Sequence, residues 1–269
     1  MKLISITNDP LLVDSLLHAG VDRIMVDLEV NGKHERQGHL DTVISSHTLN
    51  DITCVRNALN NLGSGTLMVR INPVSSSTPS EIDDVISRGA DRIMLPMFKH
   101  PDEVIFCLNH IDGRVPLTLL LETSAALARL PQILKINGID DFHIGLNDLH
   151  IDMGLDFMFE LFSSGLLDYA ARLIKSAGLR FGIGGVGCIG TGLLSADLIL
   201  AAHLDIGSER VILSRSFSNI INQGSSVFVE IKKIRSFLSR KDLNLPDLRH
   251  QLNFRIQQIV DTKRVALFD

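Results

Sequence analysis

Two acidic residues, Glu122 and Asp148, each follow an apolar run of the kind that forms a buried β-strand, 117–121 and 142–146 respectively. In a barrel of parallel strands, the C-terminal strand ends converge on one rim, where active sites are built. Carboxylates on that rim suit hard divalent cations such as Mg²⁺, which take one or two protein carboxylates and leave their other positions to water and substrate. The pair therefore predicts a metal site. The alternative is that each acid caps the helix after its strand.

Short apolar runs alternate with helical patterns along the chain, which predicts parallel strands joined by crossover helices. The runs are continuously apolar, as expected for strands covered on both faces. The fold class is therefore α/β, and the interpretation is a (β/α)8 TIM barrel. The near-identical phrases at 20–25 and 89–94 (GVDRIM and GADRIM) support repetition of one βα unit. The eight predicted strands are 3–6, 23–28, 66–71, 92–95, 117–121, 142–146, 180–184 and 210–213.

With 269 residues, 45% of them apolar, the chain can bury one large core. We expect the barrel to span 1–240, with its last helix at 218–239. A C-terminal helical extension at 241–269, within the same domain, would carry a further helix at 247–261. That extra helix is expected to cover either the bottom of the barrel or a neighbouring subunit.

The charge and cysteine content exclude several classes of function. A net charge of −5 argues against nucleic acid as a partner, because nucleic-acid affinity depends on clustered Lys and Arg. The three cysteines lie far apart, so neither a zinc cage nor a disulfide framework is indicated. The N-terminus lacks the pattern of a signal peptide, and no apolar stretch reaches the roughly 18 residues of a membrane span. We expect a cytoplasmic protein without a membrane partner.

Two predicted loops are longer than a simple strand-to-helix connection, and long loops in compact domains usually bind ligands or act as lids. The first, 29–48, is rich in His, Gly and charge. The second, 149–166, contains the aromatic segment 157–162. For this second loop we favour an amphipathic helix used for subunit contact, because its aromatic residues would form an exposed patch on a monomer. A homo-oligomer is therefore expected.

A glycine-rich segment, 182–192, follows the seventh predicted strand and includes Gly185 and Gly187. Its G-x-G-x-x-G spacing alone would suggest dinucleotide binding, but it occurs late in the chain and the acid expected for a ribose hydroxyl is absent. Barrel enzymes often bind phosphate with the loops after strands 7 and 8, which would bring these glycines together with Ser214. A phosphate or another anionic substrate tail is one interpretation. A tight turn without a ligand is the other.

Several segments in combination resemble the HpcH/HpaI aldolase and citrate lyase β-subunit family. They occur in order at the ends of predicted strands: Asp27-Leu28-Glu29, 69–72, 89–96, 119–127 and 139–154. The resemblance implies a (β/α)8 barrel of the phosphoenolpyruvate/pyruvate superfamily. It also implies that the protein cleaves or forms a carbon–carbon bond next to a carbonyl, with Mg²⁺ or Mn²⁺ as cofactor.

The resemblance also implies roles for individual residues. Glu122 and Asp148 correspond to the family's metal ligands, and Arg70 to the arginine that binds the carbonyl or enolate oxygen of a pyruvate-like group. A retro-aldol step leaves negative charge on that oxygen, so a cation and a guanidinium aimed at it would stabilise the transition state. An ordinary strand-end ion pair is the alternative for Arg70.

The chain departs from the family pattern at the general base, because the histidine expected directly after Glu29 is absent. The candidates to replace it are Glu29, His34 and His47, with Asp27 as an orienting partner. A solvated surface position is the alternative for each histidine. The acidic pair with Lys33 downstream is closer to the citrate lyase branch. His150 stands where the family usually has a small serine, and it is a weak candidate to reach the metal.

The leading hypothesis is a metal-dependent carbon–carbon lyase that acts on a 2-oxo acid or a related aldol substrate through an enolate. A citrate-lyase-like enzyme acting on an acyl-CoA thioester is the first alternative. A non-catalytic barrel that binds a metabolite or a partner enzyme is the second, because the family's histidine is missing.

Overall fold

The computed structural model describes residues 1–31 and 46–265. Eight parallel strands form a closed barrel in sequence order, and β8 pairs with β1. The predicted α/β barrel with a C-terminal helix is confirmed. The strands are β1 (Lys2–Ile6), β2 (Arg23–Asp27), β3 (Thr66–Arg70), β4 (Arg92–Leu95), β5 (Leu117–Leu121), β6 (Ile139–Ile144), β7 (Arg180–Val186) and β8 (Arg210–Leu213).

Helices surround the barrel and join successive strands. They are α1 (Pro10–Ala19), α2 (Leu49–Leu62), α3 (Thr78–Ser87), α4 (Pro101–Ile111), α5 (Ser124–Ala128), α6 (Leu130–Ile133), α7 (Leu146–Asp152), α8 (Glu160–Ser163), α9 (Leu166–Ser176), α10 (Ala196–Ile206), α11 (Arg215–Asn222), α12 (Val227–Leu238) and α13 (Leu245–Val265). The predicted last barrel helix at 218–239 is wrong in detail. Two helices, α11 and α12, occupy this stretch, and Gly224 between them has φ +102°.

The duplicated phrases at 20–25 and 89–94 build the same junction twice. Each begins with a left-handed glycine that ends a helix, with φ +103° at Gly20 and +96° at Gly89. The Asp two residues later then accepts a hydrogen bond from a backbone N–H of the preceding strand. The distance is 2.7 Å for Leu3 N to Asp22, and also 2.7 Å for Leu67 N to Asp91. The repeat therefore fixes where β2 and β4 enter the barrel.

Alternate strand residues face the barrel interior and stack in three layers. A middle layer that is apolar apart from His143 of β6 separates two polar ones. The N-terminal layer, called the floor here, contains Arg23, Arg92, Thr118, Asp141 and Arg210; the middle layer contains Ile4, Met25, Met68, Met94 and Leu120; the C-terminal layer, called the rim, contains Asp27, Arg70 and Glu122. The intervening residues point outward into the larger core beneath the helices.

The aromatic segment 157–162 is buried, so the predicted exposed patch is wrong. Phe157, Phe159 and Phe162 are 8%, 7% and 1% exposed. Most of the second loop lies in the short helices α7 and α8 and the turns around them. The guanidinium of Arg249 on α13 lies 5.7 Å from the Phe162 ring centroid and also pairs with Asp168 of α9. The C-terminal helix therefore covers these phenylalanines within the same chain.

The helix α13 packs by an apolar stripe, Leu252, Ile256 and Val260, which are all nearly or fully buried. Its neighbours are α10 and α8. Across residues 1–31 and 46–265, none of the helices combines the length and the apolar character that a bilayer crossing requires.

Candidate functional site

The rim brings together most of the side chains expected to do chemistry. Asp27 ends β2 and Arg70 ends β3, and these two residues are direct partners in the parallel pairing of the two strands. Glu122 follows the last residue of β5, and Asp148 lies in the first turn of α7. All four residues therefore lie at the end of the barrel where the strand-to-helix loops gather.

Arg70 is held in a fixed orientation by two acids of the β2 end. Its Nε donates to Asp27 Oδ1 at 2.8 Å, and its Nη2 donates to Asp27 Oδ2 at 2.7 Å. Its Nη1 lies 3.2 Å from Glu29 Oε2. Burial by itself lowers the Arg70 pKa, but the charges of Asp27 and Glu29 outweigh burial and raise it. The guanidinium is thus permanently charged, and its planar fork is matched to a carboxylate.

Glu122 is buried, with 2% of its surface exposed. Its Oε1 accepts a hydrogen bond from the Met97 backbone N–H at 3.1 Å, across the gap between the β4 and β5 ends. The helix after β5 is capped by Thr123, whose side chain accepts from the Ala126 N–H at 3.1 Å. The alternative that Glu122 caps this helix is therefore wrong.

Two backbone features border the Glu122 carboxylate. A Cβ atom at Gly145 would lie 2.7 Å from Glu122 Oε2 and 2.9 Å from its Cβ, so only glycine allows the end of β6 to approach this closely. Met97 has a left-handed backbone with φ +54°, which is uncommon for a residue with a long side chain. Sequence reasoning missed Met97, because its contribution is a backbone N–H that no side-chain pattern reveals.

Negative charge is concentrated around Glu122. Burial raises the pKa of this carboxyl well above its usual range, and the charges of Glu29 and Asp148 raise it further. Arg70 and the Met97 hydrogen bond lower it only in part. A buried acid whose charged form is disfavoured by two other acids is the donor chemistry that a divalent cation neutralises, so Glu122 and Asp148 fit the metal that the resemblance implies.

Asp148 reaches this cluster from the N-terminal turn of α7, where the helix dipole favours a negative charge. It is 7% exposed. The described part of the chain holds no group of three or more His, Cys, Asp or Glu residues arranged to hold a metal ion. The resemblance implies two carboxylate ligands, Glu122 and Asp148, and Mg²⁺ is typically held by one or two carboxylates with water and substrate completing its shell.

The histidines expected to supply a base differ in position. His47 is half-buried, and its Nδ1 accepts a hydrogen bond from the Asp27 backbone N–H at 3.0 Å. With Nδ1 used as an acceptor, the neutral ring carries its proton on Nε2, and Nδ1 is already engaged with the backbone of β2. His34 and Lys33 lie outside the described residues.

His150 points back along its own helix. Its Nδ1 lies 3.2 Å from the Leu146 backbone carbonyl oxygen, one turn earlier in α7. The ring is therefore engaged with the helix backbone through that nitrogen.

The glycine-rich segment and the residues after β8 come together as predicted by their order in the barrel. A Cβ atom at Gly187 would lie 2.8 Å from Ser216 Oγ and 3.8 Å from Ser214 Oγ. The two hydroxyls are 2.7 Å apart. Gly185 has φ +94°, a left-handed conformation that favours glycine. This arrangement explains why glycines occur here, and the anion-binding role remains a prediction.

Comparison with known proteins agrees with this architecture. A crystal structure of an HpcH/HpaI aldolase from Desulfitobacterium hafniense DCB-2 superposes with a TM-score of 0.64 at 15% identity, covering 90% of this chain and 95% of that one. An HpcH/HpaI aldolase/citrate lyase family protein from Burkholderia cenocepacia J2315 gives a TM-score of 0.65 at 14% identity, covering 87% and 94%. The citrate synthase SbnG gives 0.62 at 15% identity, again covering 87% and 94%. At these identities, the likeness concerns the fold.

No curated protein sequence matches the chain significantly. The family model of HpcH/HpaI aldolase/citrate lyase, however, matches residues 3–186, from the second residue of β1 to the end of β7, and this range includes all the acids of the rim. The chain belongs to the HpcH/HpaI aldolase/citrate lyase family.

Proposed function

We propose that this protein is a metal-dependent carbon–carbon lyase that acts on a 2-oxo acid through an enolate. The observation that carries the proposal is the electrostatic arrangement of the rim. A guanidinium locked by Asp27 and Glu29 lies near a buried carboxyl whose pKa is raised by burial and by Glu29 and Asp148. One permanent cation beside clustered acids suits a substrate that develops negative charge on oxygen next to a bound cation.

Glu122 and Asp148 would hold the divalent cation, Mg²⁺ or Mn²⁺. Such an ion acts as a Lewis acid toward the substrate carbonyl. The Met97 N–H and the absence of a side chain at Gly145 keep the Glu122 carboxylate in place before substrate arrives. This preorganisation avoids reorganising the carboxylate during the reaction.

Arg70 would stabilise the enolate oxygen. Asp27 accepts hydrogen bonds from Nε and Nη2 of Arg70, so Nη1, which lies beside Glu29, is the nitrogen that points away from Asp27. The N–H groups of Nη1 would then interact with substrate oxygen atoms from a fixed direction. An interaction that strengthens as charge moves onto the oxygen lowers the barrier more than it tightens ground-state binding.

Glu29 is our choice among the proposed bases. It is fully buried and lies 3.2 Å from Arg70 Nη1, so a proton that it accepts is transferred beside the group that binds the substrate. His47 is disfavoured as a base because its Nδ1 already accepts from the Asp27 N–H.

The metal assignment is tested by Mn²⁺ titration calorimetry. We expect Glu122→Gln and Asp148→Asn each to weaken Mn²⁺ binding at least tenfold. The control is Asp22→Asn at the opposite end of the barrel, where the carboxylate pairs with Arg235. If the rim variants bind Mn²⁺ as tightly as wild type and the control, the metal assignment is wrong.

The substrate class is tested by comparing oxaloacetate decarboxylation with malyl-CoA cleavage and, in the synthetic direction, with condensation of the kind named for the citrate synthase SbnG. Turnover of the free 2-oxo acid supports the proposal. Activity only on the thioester would favour the citrate-lyase-like alternative, and metal binding without any turnover would favour a non-catalytic barrel. We also propose self-association, as predicted from the sequence, which light scattering tests directly.

A further inference from the structure

Three arginines meet inside the barrel at its floor, at the end opposite the rim. Arg23, Arg92 and Arg210 begin β2, β4 and β8, and they are only 5%, 8% and 3% exposed. They face inward because each occupies the same position in the alternation as the methionine or isoleucine two residues later. Buried guanidinium groups need partners, since moving an unpaired charge out of water costs roughly several kcal/mol, and an opposite charge nearby offsets that cost.

All three arginines converge on a single oxygen atom, Asp141 Oδ2. The distances from this oxygen are 2.9 Å to Arg210 Nη2, 3.3 Å to Arg92 Nη1 and 3.9 Å to Arg23 Nη1. The other carboxylate oxygen of Asp141 is already used, because it accepts from the Thr118 hydroxyl at 2.6 Å. One carboxylate therefore serves three guanidinium groups.

The floor carries a surplus of positive charge. Asp140 adds a second acid, which bonds Arg92 Nη1 at 2.6 Å. Arg180 and Glu209 also act on this cluster, and their opposite charges cancel. The remaining count is three arginines against two acids, a surplus of one. Burial and the charge of Arg92 lower the pKa of Arg23 to about 10, as expected for a cation among cations.

Several donors at the floor lack a hydrogen-bond partner among the described residues. They are Arg23 Nη1 and the Nε and Nη1 atoms of Arg210, all fully buried. At 3.9 Å, Arg23 Nη1 is too far from Asp141 for a hydrogen bond. His143, which is 1% exposed and borders Arg210, also has both ring nitrogens without a partner in this part of the chain. Each buried donor left in this state costs about 1–3 kcal/mol.

Guanidinium N–H groups only donate, so they call for a ligand that only accepts. Water both donates and accepts, and it would leave the surplus charge in place. An anion satisfies the donors and also neutralises the surplus. The partly exposed Asp140 side chain, at 32%, connects the cluster to solvent at the barrel's N-terminal mouth, which gives a small ion access.

We propose that the floor binds a small inorganic monoanion, such as chloride, between Arg23 and Arg210. A monoanion matches the surplus of one charge, whereas a dianion would reverse its sign. This site is separate from the rim and does not depend on the proposed function.

The first test is thermal unfolding in sodium chloride at constant ionic strength, with sodium gluconate as the balancing salt. Above the dissociation constant, each tenfold rise in chloride is expected to raise the Tm of the wild type by about 2–3 °C. Arg210→Met should abolish this dependence. The matched control Arg56→Met, which removes an arginine paired with Asp91 outside the barrel, should retain it.

The second test is a crystal of the wild-type protein soaked in bromide. We expect an anomalous peak in contact with the guanidinium groups of Arg23 and Arg210. This measurement keeps the proposal testable even where Arg210→Met does not fold. A Tm that is independent of chloride would overturn the proposal, and a bromide peak with such a Tm would indicate an adventitious ion only. Water without bromide at the floor would overturn it as well.

Discussion

Replacing Arg70 by methionine tests whether the rim is a buried ion-pair network. The variant removes two charge-assisted hydrogen bonds to Asp27, at 2.8 and 2.7 Å, and the 3.2 Å pair with Glu29. The side chains involved are 13% exposed for Arg70, 4% for Asp27 and 0% for Glu29, so solvent cannot replace what is lost. Two such bonds contribute about 1.5–3 kcal/mol each. Breaking a buried pair from one side costs about 3–5 kcal/mol.

We therefore expect the free energy of unfolding of Arg70→Met to fall by about 3–5 kcal/mol, measured by urea denaturation in EDTA with an unchanged m-value. In the double variant Asp27→Asn/Arg70→Met, part of the loss should be recovered, because the uncompensated carboxylate is gone. Arg240→Met removes an exposed pair with Asp242 and should leave stability nearly unchanged. A loss below about 1 kcal/mol in Arg70→Met would refute the reasoning, because it would place the rim pair among ordinary surface ion pairs.

Further predictions follow from the rim, the β7 strand and the C-terminal helix. Burial and neighbouring acids raise the folded-state pKa of Glu122, so its protonated carboxyl stabilises the fold below the unfolded-state pKa, and this contribution is lost as pH rises through the folded-state pKa. In EDTA, the Tm of Glu122→Gln should therefore exceed that of the wild type by more at pH 8 than at pH 5. An equal difference at the two pH values would contradict the charge cluster. Gly182→Ala should lower the free energy of unfolding by about 1–3 kcal/mol, because its Cβ would lie 2.6 Å from His143 Nδ1. Gly184→Ala, whose Cβ would lie 3.7 Å from its nearest neighbour, should be tolerated. Equal losses of stability for the two variants in chemical denaturation would count against this packing. Leu252→Ala on α13 should lower the free energy of unfolding by about 2–5 kcal/mol, since this leucine is fully buried. A smaller loss in chemical denaturation would mean that the helix packs only loosely on the barrel.

The sequence was sufficient to predict every strand of the barrel, because buried parallel strands are continuous apolar runs. The largest differences are at β6, which begins at Ile139 where it pairs with Leu117, and at β7, which extends to Val186 beside Leu213. Those boundaries depend on the neighbouring strand and cannot be read from local composition.

Long-range closure explains what the sequence left undetermined. The floor was missed because Arg23, Arg92 and Arg210 look like ordinary charged strand starts until barrel closure brings them to one carboxylate. One signal in the sequence is the Asp-Arg-Ile-Met repeat at 22–25 and 91–94, which indicates that Arg23 and Arg92 occupy equivalent positions. Local sequence predicts exposed phenylalanines around Phe159, because nothing local indicates that α13 folds back over them. The ion-pair partner that orients Arg70 likewise depended on strand register, which pairs it with Asp27.

The middle layer of the barrel, with methionines from β2, β3 and β4, has a consequence for how this protein can change over evolution. It places a mostly apolar, deformable layer, interrupted by His143 of β6, between the acidic end and the basic end, and no ion pair among the described residues joins the two sets of charges. Substitutions at the two ends should therefore combine additively. During evolution, mutations at the rim can therefore change substrate specificity while the floor keeps its charges and ion pairs.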